Sequence, residues 1–539
     1  MEKRVFIAVL LSLLVLIIYQ KLLLDSSPEV PPGEASYEKE SLPNELLKEG
    51  FSQEKPSRVV PVELNKTLGD KEIIVTTDLY RAIFSSRGAR LKSWKLNQYL
   101  TELKEAGEGV DLVTRTAAGK ATSLFRLRFV NSLDDQEIFF QTNEDDINLT
   151  DKNNGSTLSF FALTKEGIKI EKNYFFNPDN YSIDLDFTIT NFSSQPIKGK
   201  LELVWNSWEG QEGGKDHFGF KGPVVFANNK LEEIPVKKLK EERIFSGDLG
   251  WTGFEEKYFL SAIIPRNHKG ILKLNRLGSV ASATFLYPDM RIFPKEQINY
   301  QYTVYLGPKD ITRLREVDSS LENALNFGWF DFIAKPLLFA LNFLNNYTHN
   351  YGAAIIILTV LIKILLFPLT HKSYKSMKDM QKVQPQLAKL REKYKDDREG
   401  LNREIMELYR VNKINPLGGC LPMVLQIPVF FAFYKVLYSS IEIRHSPFMW
   451  WINDLSAPDT AFYIGSFPAN ILPVLMGITM FIQQKMTPTA SADPIQAKLM
   501  LFMPLIFLVI LWNLPSGLVL YWTITNVLSI AQQAYINKH

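Results

Sequence analysis

The stretch AAIIILTVLIKILLFPLT, Ala353–Thr370, restricts this chain more than any other: it is apolar enough to enter a lipid bilayer, yet it carries Lys363. An ammonium in hydrocarbon costs roughly 2.5–3.5 kcal/mol even on lenient insertion scales. If the helix leaves the membrane near Thr370, Lys363 lies about 11 Å from that boundary. Its stem reaches roughly 6 Å, so snorkelling to the headgroups needs a thinned bilayer or a water-filled recess. The other reading turns Lys363 into a helix bundle, where it lines a wet cavity, as intramembrane charges usually do. Both readings place a charge where a soluble fold would not.

The rest of the chain divides by composition. Its 539 residues are 46% hydrophobic with a net charge of +3, and the apolar residues gather at the N-terminus and after about Phe327. Residues 1–24 place Lys3 and Arg4 before an apolar run without a small-residue cleavage site close behind it, which predicts an uncleaved transmembrane signal anchor rather than a cleaved signal peptide. Residues 25–59 are rich in Pro and Glu and read as a flexible linker. Residues 60–325 alternate apolar and polar at period two, as in SIDLDFTIT (Ser182–Thr190) and YQYTVYL (Tyr300–Leu306), which predicts a large all-β domain of two packed sheets. Residues 326–350 predict an interfacial amphipathic helix, its apolar part too short to span.

Residues 351–539 predict a helical membrane core with spans at Tyr351–Thr370, Leu417–Tyr438, Ala469–Ile482, Lys498–Trp512 and Ser516–Ile530. The third and fourth are about 20–23 Å long, less than the hydrocarbon thickness. Between the first two, residues 371–415 hold twelve Lys/Arg against seven Asp/Glu, whereas Ser439–Phe467 has only Arg444 as a strong cation. The positive-inside rule puts the first connection in the cytoplasm and the second outside. With the anchor there are six transmembrane helices, both termini cytoplasmic and the β domain outside. Within 371–415, Met377, Met380, Leu387 and Leu390, then Leu401, Ile405 and Leu408, recur at spacings of three and four, predicting a cytoplasmic helical hairpin. Its basic surface is either a topology signal alone or a meeting place for an anionic partner such as ribosomal RNA or lipid headgroups.

Nothing points to covalent chemistry. One cysteine, Cys420, excludes an intrachain disulfide, and the six histidines have no ligand-like spacing. No P-loop, GxSxG or GxGxxG occurs, so no catalytic, cofactor or metal site is expected. The polar residues able to share a recess with Lys363 are Gln426, Gln484 and Asn526, with Trp522 beside them; Gln426 and Asn526 also suit plain helix–helix bonding. Met423, Met500 and Met503 fit either an adaptable sliding face or ordinary packing. A solute transporter and an envelope carbohydrate enzyme are the rival classes.

Long strings carry a resemblance. LLFPLTHKSYKSMKDMQKVQPQL (Leu365–Leu387), NPLGGCLPMVLQIPVFFAFYKVL (Asn415–Leu437) and DPIQAKLMLFMPLIFLVILWNLPSGLVLYWTITNVLSIAQQ (Asp493–Gln533) resemble the YidC membrane-protein insertases, and GWTGFEEKYFLSAIIP (Gly250–Pro265) extends the likeness thinly into the β domain. The resemblance implies the Gram-negative type: a periplasmic β-supersandwich, a five-helix core with a groove open to cytoplasm and lipid, and a bacterial inner-membrane location. It implies nascent membrane proteins and lipid as partners, with the ribosome and the Sec translocon beside them and no DNA. The family usually carries an arginine in the groove, and the matching position here is Lys363. Lysine keeps the charge but loses the planar fork that pairs both carboxylate oxygens. The C-terminal tail, YINKH, is short and weakly basic, which puts a family role for a long basic tail in doubt here.

Overall fold

The computed structural model describes residues 69–538, apart from 104–106, 114–123, 130–132, 151–153, 209–219, 240, 269, 279, 395–396, 413–420 and 487–493. The predicted anchor (1–24) and linker (25–59) lie outside the described residues.

The β domain has three sheets where the period-two pattern suggested two. An eight-stranded antiparallel sheet runs, in spatial order, through strands 230–233, 222–227, 249–255, 259–265, 297–308, 182–191, 168–176 and 156–163. A six-stranded sheet is centred on 280–292 and 197–208, and a five-stranded sheet on 90–100, 80–85 and 72–76. Alternation along SIDLDFTIT sends Ile183, Leu185 and Phe187 into the core. Pairing of Leu185 with both Tyr174 and Tyr302 fixes one aromatic face on the large sheet. That face takes both smaller sheets: Phe285 of the six-stranded sheet lies 5.5 Å from Tyr302, and Phe84 of the five-stranded sheet lies 4.7 Å from Tyr174, between ring centroids. Period two tells which side of a strand is buried, but not how many separate sheets share the buried side.

Where the sheets meet, a buried ion pair fastens them. Lys172 and Asp135 are each 1% exposed, with Nζ 2.6 Å from Oδ2. Nζ also donates to the carbonyls of Gly88 and Phe125, both at 2.8 Å. Burial pushes the Asp135 carboxyl up and the Lys172 amine down, and each charge opposes the other's shift. Three donated hydrogen bonds require the ammonium, so the pair is ionised.

Eight helices follow among the described residues. Helix α1 (Ile311–Val317) is capped by Asp310 and ends the β domain. Helix α2 (Asp331–Thr348) buries Ala334, Leu338 and Leu341 against the core and leaves Phe332, Phe339, Phe343 and Tyr347 exposed, so both its faces are apolar. His349 turns left-handed at φ 50°, and Asn350 caps the next helix by accepting from the Ala353 N–H at 3.0 Å. Helix α3 (Tyr351–Lys393) is one continuous element of 43 residues. The expected boundary at Thr370 is therefore no break: the first span and the first hairpin arm are a single helix, running through Pro368 and Pro385. Helix α4 (Arg398–Val411), capped by Asp397, supplies the second arm.

Four helices complete the core: α5 (Leu421–Ser439), α6 (Ile471–Met486), α7 (Pro494–Ile510) and α8 (Ser516–Lys538). Among the described residues, α3 alone is long and apolar enough by itself to cross a membrane. Helices α6 and α7 have only 16 and 17 residues. Helix α8, with 23, is diluted by Thr523, Thr525, Asn526, Ser529, Gln532 and Gln533, all buried.

Replacing Asp135 with Asn leaves the Lys172 ammonium buried without its counter-charge. This is expected to cost about 3–5 kcal/mol, read from chemical unfolding of the full chain in detergent by near-ultraviolet circular dichroism. A loss below about 1 kcal/mol would show that the sheets are held without the pair.

Candidate functional site

The site is built on α8. Its polar side chains fall at positions 525/526, 529 and 532/533, spacings of three and four that gather them along one side of a helix. That side faces α3 and α6. Toward α3, the Lys363 Nζ donates to the Ser529 Oγ at 2.7 Å, and Ser529 passes its own proton to the Thr525 carbonyl at 2.7 Å. One and two turns on, Thr370 and Gln532 share hydrogen bonds at 2.9 and 3.2 Å. Toward α6, Asn526 Nδ2 donates to Thr479 Oγ1 at 3.3 Å, and Gln533 Nε2 to the Met486 carbonyl at 2.7 Å.

Lys363 thus points at α8 rather than along its own helix toward either membrane face. It is only half-buried, and Leu361, Ile364 and Leu365 around it are exposed. No Asp or Glu occurs in Tyr351–Thr370, Leu417–Tyr438, Ala469–Ile482, Lys498–Trp512 or Ser516–Ile530, so the spans offer the ammonium no resident counter-ion. Its partner is a neutral hydroxyl whose proton is already committed elsewhere.

The other expected residues separate. Asn526 joins the stripe. Gln426 is half-buried on α5 in side-chain contact with Tyr521 of α8, and Gln484 occupies the last turn of α6. Trp522 is an aromatic wedge, 4.6 Å from the Phe430 ring and 5.4 Å from that of Phe507, joining α5 and α7 to α8. Met503 is half-buried on α7; the side chains of Met423 and Met500 lie outside the described residues. In the hairpin Met377, Met380 and Leu387 are buried, and Leu390, Leu401, Ile405 and Leu408 half-buried. Met380 and Val383 pack on Leu408 and Tyr409 of α4, while Tyr374 and Met377 pack on Ile536 of α8.

Sequence reasoning missed Thr370, Thr479, Thr525, Ser529, Gln532 and Gln533. The three-and-four spacing on α8 was the available signal, obscured because Ser and Thr are unremarkable singly in membrane helices. It also passed over Lys435 near the outer end of α5, which lies within electrostatic reach of Glu233 in the β domain.

Opposite the hairpin, the connection after α5 closes the bundle. The first N–H groups of α8 have no partners within the helix; Ser516 donates instead to the Ala457 carbonyl at 2.7 Å and Gly517 to that of Leu455 at 3.0 Å. Asp459 accepts from the Leu472 N–H of α6 and from Trp451 Nε1. Gly352 is needed at the start of α3, since a Cβ there would meet the Phe448 ring at 2.1 Å. Arg444 donates to the Leu100 carbonyl at 2.5 Å and lies over the Tyr258 and Phe259 rings, tying this connection to the β domain. Beside it, burial raises the Glu442 carboxyl to about 7, with Asn342 Nδ2 as a 3.4 Å donor.

The Glu442 value carries a sign. A carboxyl raised in the folded state holds a proton that the unfolded chain has released, so stability falls as pH rises from about 4.5 to about 7. The apparent melting temperature in detergent is expected to drop across that window, and Glu442→Gln to flatten the drop. An unchanged slope in the variant would assign the dependence to other groups.

Residues 343–539 match the family described as 60Kd inner membrane protein, and residues 72–340 match the YidC periplasmic domain. A protein of Syntrophus aciditrophicus named membrane protein insertase YidC is 42% identical over 556 residues, covering 100% of both chains. The protein of the same name from Geotalea daltonii is 40% identical over 547 residues, covering 100% of this chain and 99% of its own. A crystal structure of active YidC insertase with its first transmembrane domain resolved aligns at a TM-score of 0.36 and 17% identity, over 86% of this chain and 92% of that one.

Proposed function

Because the chain belongs to the YidC family of membrane protein insertases, a bacterial inner-membrane family, we propose that it moves short polar segments of nascent membrane proteins through an intramembrane groove lined by α3 and α8 and releases their helices into lipid. The family inserts proteins and is not one of enzymes, and the transporter and carbohydrate-enzyme readings fall with that assignment. In this reading the β domain is periplasmic, the 371–415 hairpin and both termini are cytoplasmic, and six helices span. The excess of basic residues in 371–415 supports that orientation.

One observation carries the mechanism: Lys363 stands in an apolar segment, bonded to the neutral Ser529, in spans without an acid. A substrate carboxylate at mid-membrane costs about 3 kcal/mol. An ammonium 4–5 Å away returns roughly 3–4 kcal/mol at an effective dielectric of 20. Lys363 is therefore a transient counter-ion, and Gln426, Gln484 and Asn526 supply neutral hydrogen bonds along the path. Trp522 stiffens its aromatic wall. Once the polar tail has crossed, the substrate helix slides past the methionine-bearing faces of α5 and α7 (Met423, Met500, Met503), drawn by burial of apolar surface in lipid at about 25 cal/mol per Å². The basic hairpin receives the substrate at the cytoplasmic entrance, beside a ribosome or the Sec translocon.

The test is insertion of a single-span protein into proteoliposomes holding only this protein, read by protease protection, with an acidic tail or its amide counterpart. Lys363→Ala is expected to lower acidic-tail insertion about tenfold and amide-tail insertion by less than about twofold. Lys363→Arg retains insertion and Lys363→Glu loses it. Equal acidic-tail insertion by the Arg and Glu variants would remove the counter-ion role.

A further inference from the structure

We infer that the β-hairpin between α5 and α6, strands Thr460–Ile464 and Phe467–Asn470, is a lipid-binding wedge seated in the glycerol and headgroup zone of the outer leaflet, where it completes the short helix α6. The inference rests on the chain being embedded in a membrane, which its family gives, and on the orientation proposed above, with Lys485 toward the cytoplasm, but not on Lys363 or on any insertion mechanism.

Lys485 marks the cytoplasmic end of α6, its ammonium resting over the Phe481 ring. Counting back at 1.5 Å per residue, Ile471 lies about 21 Å away, some 9 Å short of a 30 Å hydrocarbon layer. The hairpin begins at that shortfall. Its base is fixed to the bundle: Asn470 Nδ2 donates to the Trp512 carbonyl at 2.6 Å, Thr460 donates to Asn470 at 2.9 Å, and the Phe467 ring lies 5.3 Å from that of Trp512.

Beyond the base the side chains are mostly uncovered by protein. Phe462, Tyr463, Ile464 and Phe467 are 54%, 68%, 66% and 57% exposed, and Trp450 of the same connection is 81% exposed. Water is the wrong solvent for so many large apolar groups in one connection. Three features select lipid as the occupant. No Asp, Glu, Lys or Arg lies between Asp459 and Lys485. The patch runs directly into the exposed Val474, Leu475 and Ile478 on α6, the face the helix presents to the bilayer. Aromatic residues with a polar edge, Trp and Tyr, are the types that concentrate at the membrane interface. Backbone chemistry then sets the depth. A two-stranded sheet has open edges, and unpaired N–H and C=O groups exclude it from the hydrocarbon centre but not from the hydrated interface. Pro468 removes one of those donors.

The test uses the full chain in nanodiscs of phosphatidylethanolamine and phosphatidylglycerol, with Cys420→Ala and one new cysteine carrying an NBD fluorophore. Ile464→Cys and Phe462→Cys are the probes, Ile478→Cys the lipid-facing reference on α6 and Ile244→Cys the exposed reference on the β domain. Both probes are expected to be quenched by doxyl lipids within about twofold of the Ile478 site, more by a 5-doxyl than by a 12-doxyl chain, and to be shielded from aqueous iodide. Iodide quenching equal to that at Ile244 would put the hairpin in water and overturn the proposal. Shielding from iodide and lipid alike would also overturn it, since a second copy or another part of the chain would then cover the patch. Loss of lipid quenching at Ile478 as well would indict the membrane placement itself, a failure distinct from that of the hairpin.

Discussion

A single ammonium in an apolar helix must be hydrated, paired or hydrogen-bonded, and the architecture of the core follows from meeting that demand without an acid. Lys363 is answered by Ser529, which obliges α8 to run beside α3 and to turn a polar stripe toward it. The stripe in turn needs partners along its length. Thr370 supplies one to Gln532 on the α3 side, and Thr479 and the Met486 carbonyl supply Asn526 and Gln533 on the α6 side. Helix α8 becomes the central post of the bundle because its polar groups can be satisfied only between two other helices.

The same accounting operates at the ends of the helices. Membrane helix termini cannot leave N–H groups bare in a low dielectric, and here the connection after α5 provides the acceptors for α8 and α6. That connection is in turn clasped by Arg444 against the β domain. The β domain fastens its own sheets by the opposite device, a buried Lys172 with all three donors used, one of them on Asp135. One lysine sits in a fully matched site and the other in one that is only half-matched. The first is a fastener. The second keeps bonding capacity in reserve.

Much of this was legible in the chain. Period-two alternation marked strands, apolar runs marked the starts of α3 and α8 and most of α5, α6 and α7, and spacings of three and four marked the hairpin arms, because burial on one side of an element leaves a regular trace. The trace says nothing of register between elements, so the third sheet went unread, as did the passage of α3 unbroken through Thr370 into the hairpin. Pro368 and the change from apolar to basic residues there looked like an end. On the proposed orientation they mark a change of solvent around a helix whose backbone does not register it. Lys363 stood out because a charge in hydrocarbon is costly; Ser529 did not, because a hydroxyl in a helix can satisfy itself on the carbonyl four residues back, as it does on Thr525. Long resembling strings, rather than any single residue, carried the family.

On the counter-ion reading, a single neutral partner suits a lysine at position 363 better than it would an arginine. A guanidinium has five donors in a fixed plane and asks for a planar acceptor; held beside one hydroxyl, most of them would go unmet. An ammonium has three donors on a flexible stem. One is used on Ser529, and the side chain is only half-buried. A resident carboxylate would have satisfied the charge better and made it useless, because an arriving acid would first have to displace it. In the counter-ion reading, an arriving carboxylate would exchange the ammonium's charge-assisted bond to a neutral hydroxyl for a charge–charge interaction, the stronger of the two. On the proposed mechanism, capture is then favourable and still weak enough to reverse, as release of a substrate helix into lipid demands.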